Sequence, residues 1–223
     1  RKPAMGDYLI RLYTLLREGG RVVRVRLAER MNVSPPAITQ ALRRMVRDGL
    51  ILVDENKNVQ LTDEGRAIAE STIRRHYLLE RLLVDELGYD WAGADDEADR
   101  LEHSLSPELE AHLYYRLGRP TTCPHGNPFP GSPDEAALLH ARTLASTHSG
   151  EKVVMLRVTE EGEEDEELMH FLQERGLRPG SIIEVVSTDT EAAVLRLVDS
   201  PVPASISTRH AQLVRVSAPE SRI

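Results

Sequence analysis

Between positions 95 and 103 the chain reads Asp95-Asp96-Glu97-Ala98-Asp99-Arg100-Leu101-Glu102-His103. In a helix, Asp95, Asp99, Glu102 and His103 stand at i, i+4, i+7 and i+8. Three carboxylates and an imidazole then share one face. Acids packed this closely repel one another unless water or a cation screens them. Oxygen with imidazole is also the donor set that hard and borderline divalent metals take. Upstream, His76 and Glu80 repeat the pattern at i and i+4. Two helices, each with a His/carboxylate face, point to a metal site between them. Asp95 and Asp96 open their helix and read as N-capping residues, so Asp95 is left outside the ligand set.

The elements that must carry these residues follow from periodicity. Leu9, Leu12, Tyr13 and Leu16 form a helical stripe over 5–17, ended by Gly19-Gly20. A short helix over Val25–Met31 and a turn at Asn32-Val33-Ser34 come next. Ser34 suits an N-cap and Pro35 the first helical position. That second helix runs to about Asp48 with Ile38, Leu42, Met45 and Val46 inward, and Gly49 stops it. Leu50–Val53 and Asn58–Leu61 read as a hairpin with Asp54–Lys57 at its tip. Thr62-Asp63-Glu64 caps a long helix reaching Glu86. Helices over Asp95–His103 and Pro107–Leu117 follow, the latter capped by Ser106. Residues 118–133 are rich in Pro and Gly and hold Cys123 and His125, and a short helix spans 134–142. From Lys152 the pattern turns to strands: Val153–Val158, Ile182–Val186, Ala193–Leu197 and Leu213–Val216, punctuated by Gly180-Ser181 and Ser200-Pro201. The acidic run Glu160–Glu167 reads as a solvated lead into a helix at 166–175. The fold class is mainly α with a small β domain. The expected domains are 1–70, 71–143 and 151–223.

The 223 residues are enough for more than one core. With two Phe and one Trp, that core rests on Leu, Val, Ile and Ala. No apolar run approaches the roughly 20 residues that span a bilayer. The single cysteine, Cys123, has no internal disulfide partner, so a reduced, cytoplasmic setting is expected. Net charge is −8, yet residues 1–70 hold 13 Lys/Arg against 9 Asp/Glu. The basic excess therefore lies where a nucleic-acid footprint is useful.

Helix, tight turn, helix and hairpin make a winged helix-turn-helix. Its second helix presents Ser34, Pro36, Ala37, Thr39, Gln40, Arg43 and Arg44 outward. Gln40 can read an adenine edge bidentately, and Arg43 and Arg44 suit phosphate or guanine. Solvated helix residues, or a protein-binding winged helix, are the plainer alternatives.

In this order the chain resembles the DtxR/MntR family of metal-dependent repressors. The residues carrying the resemblance are Asp7-Tyr8-Leu9, Ser34-Pro35-Pro36 with Thr39-Gln40, Arg47-Asp48-Gly49-Leu50 and Leu61-Thr62 with Gly65. They continue through Arg75-His76, Leu79-Glu80-Arg81-Leu82-Leu83, Glu102-His103 and Gly126-Asn127-Pro128-Phe129-Pro130-Gly131. The tail resembles the family's FeoA-like, Src-homology-3-like barrel. The resemblance implies a homodimer with an N-terminal winged helix, a helical metal-sensing and dimerisation domain, and operator DNA as partner. Residue by residue, it implies a primary site of Asp7, His76, Asp99, Glu102 and His103. Because Asp7 belongs to the DNA-binding domain, such a site ties metal to DNA affinity. Cys123 and His125 resemble a second site that some manganese sensors complete with the equivalent of Glu80. A barrel residue must close that site, and Glu160 is the choice here. Three departures stand out. Ile10 replaces a Glu of the short dinuclear sensors, Asp95 a His of iron sensors, and Asp99 a Cys of iron sensors.

A primary site of carboxylates and imidazoles without thiolate favours Mn(II), with Fe(II) as the alternative. The rival functions are a metallohydrolase, for which no substrate-site spacing is present, and a metal-independent winged-helix regulator. A solvated acidic face is the plain reading of the 95–103 cluster.

Overall fold

The computed structural model describes residues 5–20, 22, 24–198 and 202–217. Arg1–Ala4 and the Ser200-Pro201 break lie outside the described residues. The chain divides into two compact units, 1–75 and 76–223.

The first unit opens with helix α1, Met5–Arg17, burying Tyr8, Leu9, Ile10, Leu12 and Tyr13. Helix α2 spans Arg24–Arg30 and helix α3 spans Pro35–Arg47. Ser34 caps α3 by accepting the Ala37 N–H at 3.4 Å, with Pro35 already set at helical φ. Ser34→Ala should therefore cost this unit about 1 kcal/mol, read as a lower urea midpoint with unchanged slope. Ile38, Leu42 and Met45 face inward as expected. Val46 does not: it is 44% exposed. It lies about 80° round the helix from Ile38 and falls off the edge of the apolar stripe. Gly49, at φ 73°, turns the chain into strand β1, Ile51–Val53, which pairs antiparallel with β2, Val59–Leu61. Asp54 accepts the Asn58 N–H at 2.8 Å and shapes the wing tip. Thr62 Oγ1 donates to the Gly49 carbonyl and accepts from Gly65 N, fixing the start of helix α4, Asp63–Arg81. A Cβ on Gly65 would overlap the Leu50 carbonyl, which is why glycine stands there.

Helix α4 passes into a π-helical turn, Leu82–Glu86, so the expected run to Glu86 holds with a widened last turn. In the second unit, helix α5 covers Ala94–Leu101 and gives way to a 3₁₀ turn at Glu102–Ser104. Helix α6, Pro107–Arg116, is capped by Ser106, and helix α7 is Glu135–Leu139. The loop between them is ordered by Thr122 bridging to Pro128 and by Arg81, which donates to the carbonyls of Thr122 and Cys123. Six strands form one antiparallel sheet. In chain order they are β3 (Arg142–Thr143), β4 (Lys152–Val158), β5 (Ile182–Thr188), β6 (Ala192–Leu197), β7 (Ala204–Ser207) and β8 (Val214–Val216). Their spatial order is β3-β8-β4-β5-β6-β7. Helices α8 (Glu160–Glu163), α9 (Glu166–Glu174) and α10 (Thr208–Ala211) connect them. The core of the sheet unites Met155, Val158, Leu168, Ile183, Val185, Leu195 and Val214. Each such side chain contributes roughly 1.5–3 kcal/mol of burial.

Strands β3 and β7 were not expected. β3 is two residues long, and β7 reads Ala-Ser-Ile-Ser, where serine masks a regular in-out alternation.

Candidate metal centre and DNA-reading helix

Helix α4 delivers His76 and Glu80 one turn apart, and both are buried. His76 Nδ1 lies 3.0 Å from Glu102 and 3.7 Å from Asp99. Its Nε2 lies 3.1 Å from Asp95 and 3.3 Å from Glu80. The expected face of Asp95, Asp99, Glu102 and His103 is broken by the 3₁₀ turn, which swings Glu102 inward while Asp99 and His103 stay exposed. His103 Nε2 remains 3.6 Å from the second oxygen of Glu102. Asp95 is not a cap. Its helix is preceded by Gly93 with no side-chain cap, and Asp95 is buried against His76. Sequence reasoning missed it, although the i, i+4, i+7, i+8 face contained it.

The Pro/Gly loop brings Cys123 and His125 to the other side of Glu80. His125 Nδ1 is 3.3 Å from Glu80 and 3.5 Å from Glu163, and Cys123 Sγ is 3.9 Å from Glu163. His125 Nε2 donates to the Trp91 carbonyl at 2.8 Å. Gly126, at φ 92°, holds this loop against β4, where a Cβ would strike the Leu156 carbonyl.

The carboxylate of the β domain that the structure gathers with Glu80, Cys123 and His125 is Glu163, while Glu160, the residue expected there, is buried beside Tyr77. Thr159 caps α8 by accepting Gly162 N, and this one turn points both acids inward. Glu160 accepts from the Tyr77 hydroxyl, and Glu163 from Asn127. Asn127 is itself set by Arg157 at 2.6 Å. The acidic run is thus not a solvated lead: two of its carboxylates are buried. The signal was the Thr159 N-cap, which makes residues 160 and 163 one face of a turn.

Electrostatics show what this arrangement demands. Burial favours the neutral form of His76, but its contacts with Asp95, Glu102 and Glu80 override that and push its pKa well above the ordinary histidine value. His125 is raised in the same way, with Glu80 the main cause opposing burial. Burial pushes Glu163 well up, with Glu80 and Glu160 adding to it. Burial and the same acids push up the Cys123 thiol. Burial also opposes the charge on Glu80, yet His125 and His76 beside it hold its carboxyl low. Neither oxygen of Glu80 accepts a hydrogen bond, although the side chain is 0% exposed. A carboxylate buried to this degree costs several kcal/mol unless a cation meets it, and in the metal-free protein the protonated His76 and His125 fill that part. The residues present therefore fit a divalent metal. When bound, such an ion supplies a fixed positive charge that these donors share; the protein holds and orients the donors.

In the first unit, Ser34, Pro36, Gln40, Arg43 and Arg44 are exposed, with Ala37 and Thr39 half-buried. Tyr8, Ser34, Ala37, Gln40 and Arg44 border a groove of about 570 Å³. Asp7 lies in the first turn of α1 and is half-buried.

Comparison with known proteins agrees along the chain. The family model "Iron dependent repressor, N-terminal DNA binding domain" matches residues 2–59. "Iron dependent repressor, metal binding and dimerisation domain" matches 62–131, and the FeoA domain matches 142–218. The iron-dependent repressor IdeR of Mycobacterium leprae is 38% identical over 187 residues, covering 80% of this chain and 81% of its own. The diphtheria toxin repressor of Corynebacterium diphtheriae is 36% identical over 189 residues, covering 82% and 84%. A solved manganese-dependent transcriptional repressor in complex with manganese superposes with a TM-score of 0.84 at 29% identity. It covers 96% of this chain and 100% of its own. These relatives are repressors, so the metallohydrolase reading falls. Among the described residues no helix is long and apolar enough to cross a membrane. Donor clusters, reading helix and these likenesses converge: the chain belongs to the diphtheria-toxin-repressor family of metal-dependent, DNA-binding transcriptional repressors.

Proposed function

We propose that this chain is a Mn(II)-activated homodimeric repressor that binds a pseudo-palindromic operator and controls metal-ion uptake genes. The observation that carries the metal dependence is Glu80, fully buried, with no hydrogen bond to either oxygen and an imidazole nitrogen 3.3 Å away on each of two sides. Carboxylates and imidazoles outnumber the one thiolate, a balance that favours Mn(II). Fe(II) is the second reading, favoured by Cys123 and by relatives named iron-dependent. The working division is 1–70 for DNA, 71–143 for sensing and dimerisation, and 151–223 for the FeoA-like barrel.

In this reading the metal selects the arrangement of two winged helices that fits major grooves about 34 Å apart. Moving that equilibrium from 1:99 to 99:1 takes about 5.5 kcal/mol of differential metal binding. Asp7, a ligand by family resemblance, is the residue of the DNA-binding domain through which that selection acts. Asp7→Ala should leave the fold intact and remove the metal response. Normal metal-dependent repression by that variant would overturn the mechanism.

At the DNA, Gln40→Ala should cost about 1–3 kcal/mol on the specific site and relax choice at one base pair. Arg43→Ala should weaken specific and random DNA alike and reduce the salt slope by about 1. The two are separated by titrating operator and scrambled duplexes over a range of salt. The decisive test of the whole reading is anaerobic selection of genomic fragments with Mn(II), with Fe(II) and with chelator. Enrichment of a pseudo-palindrome with Mn(II) alone supports it. Enrichment with Fe(II) alone moves the assignment to iron, and equal enrichment with chelator makes the donor clusters structural.

A further inference from the structure

Residues 76–223 form a single compact unit, although helices make up one part of it and the six-stranded sheet another. Trp91, the one tryptophan of the chain, joins the two parts. It stands between the π-helical turn and α5, yet its side chain belongs to the core of the sheet, with Leu144, Val153, Leu172 and Leu177. Val84 and Ala92, from the same stretch, pack against that core. The β domain also grips this stretch by polar contacts. Gln173 of α9 accepts the Ala92 N–H at 3.0 Å and donates to Asp90 at 2.7 Å. The Arg178 guanidinium lies over the indole, 5.2 Å from its centre.

Trp91 also holds two consecutive residues of the Pro/Gly loop. Its indole N–H donates to the Pro124 carbonyl at 3.2 Å, and its own carbonyl accepts from His125 Nε2 at 2.8 Å. The indole and imidazole centres are 4.7 Å apart. Because a carbonyl only accepts, the contact fixes which way the imidazole faces: Nε2–H to Trp91 and Nδ1 to Glu80. We propose that Trp91 is a positioning residue through which the seating of the β domain sets the His125 imidazole. Seating the β domain places the indole, and Trp91 in turn places Pro124 and His125. A tryptophan that only filled a core would need no polar partner on the loop. Here its indole N–H and its carbonyl are both spent on adjacent loop residues. The inference rests on the metal-dependent reading above. It adds a way for the β domain to act on the sensor that is separate from any carboxylate it supplies.

The test uses the full-length protein with Co(II) as probe, titrated at the near-ultraviolet thiolate band that reports the loop holding Cys123 and His125. Trp91→Ala should raise the Co(II) midpoint most. The double variant Gln173→Ala/Arg178→Ala leaves Trp91 and the loop untouched and loosens only their hold from the β domain. It should raise the midpoint at least about 5-fold, the lower end of ordinary coupling between sites. The lone tryptophan gives a second reading in that variant. Acrylamide should quench its emission more strongly than in wild type, and metal should reverse the difference, since coupling is reciprocal. Arg175→Ala, whose guanidinium lies over Phe171 instead, should change neither. Circular dichroism checks each fold, and the double variant carries the decision if Trp91→Ala fails to fold. A lower melting temperature with an unchanged Co(II) midpoint in the double variant would make Trp91 a space filler and overturn the proposal, while leaving metal-dependent repression standing. A wild-type protein that gives no thiolate band and ignores chelator in DNA binding would instead sink the underlying reading, and this inference with it.

Discussion

Glu80→Gln abolishes activation by metal: loaded with Mn(II), this variant binds operator no better than chelated wild type. The side chain keeps its shape and loses its charge. That charge lies 3.3 Å from both His76 Nε2 and His125 Nδ1. Disturbing a contact behind a metal ligand already costs 10–100-fold in affinity. Removing an anionic donor from a fully buried site therefore costs more than about 100-fold in metal affinity. Because DNA affinity is linked to metal occupancy, the operator titration should lose its metal dependence over the whole accessible Mn(II) range. Glu86→Gln, exposed at the end of the same helical run, should change nothing and controls for net charge. A Glu80→Gln protein that still represses with Mn(II) would show that the response runs through other residues.

The parts of this centre that were legible in the sequence are those set by local spacing. His76 and Glu80 one turn apart, and Cys123 two residues from His125, needed no tertiary information. Ser34-Pro35 fixed the start of the reading helix because an N-cap is a local contact. Asp95 and Glu163 were misread for a common reason. An acid at a helix start has two uses, capping the helix or facing inward, and only the packing of α5 against α4 decides between them. Glu163 depended on a four-residue helix inside an acidic run, and acidic runs are usually solvated. The burial of that turn comes from Asn127 and Tyr77, which lie 36 and 83 residues away from their partners. The sheet order was beyond reach too, since pairing β3 with β8 joins residues 142–143 to 215–216. Long-range pairing leaves no periodic mark on either segment.

Metal binding should release protons and strengthen steeply as pH rises. In the metal-free protein, His76 and His125 are held protonated above the usual histidine range by the carboxylates around them. The Glu163 carboxyl and the Cys123 thiol are kept protonated, first by burial and then by Glu80 and other nearby acids. A metal needs these donors deprotonated, so it must displace the protons. Each displaced proton makes affinity rise tenfold per pH unit while the group is still protonated in the free protein. With both imidazoles involved, the slope of log affinity against pH should be at least about 2 near neutrality. Stability without metal runs the opposite way. A histidine with a raised pKa loses its stabilising charge as pH climbs through the folded value. A carboxyl held neutral by burial becomes a liability once pH exceeds its unfolded value. The metal-free protein should therefore weaken toward alkaline pH while the loaded one gains. Calorimetry in buffers of different ionisation enthalpy counts the protons directly, and Glu163→Gln should lower that count by about 1. Binding with no proton release and no pH slope would mean the donors are already bare in the free protein. In that case Glu80 would face two neutral imidazoles and buried carboxylates with nothing to balance them, a state that costs several kcal/mol.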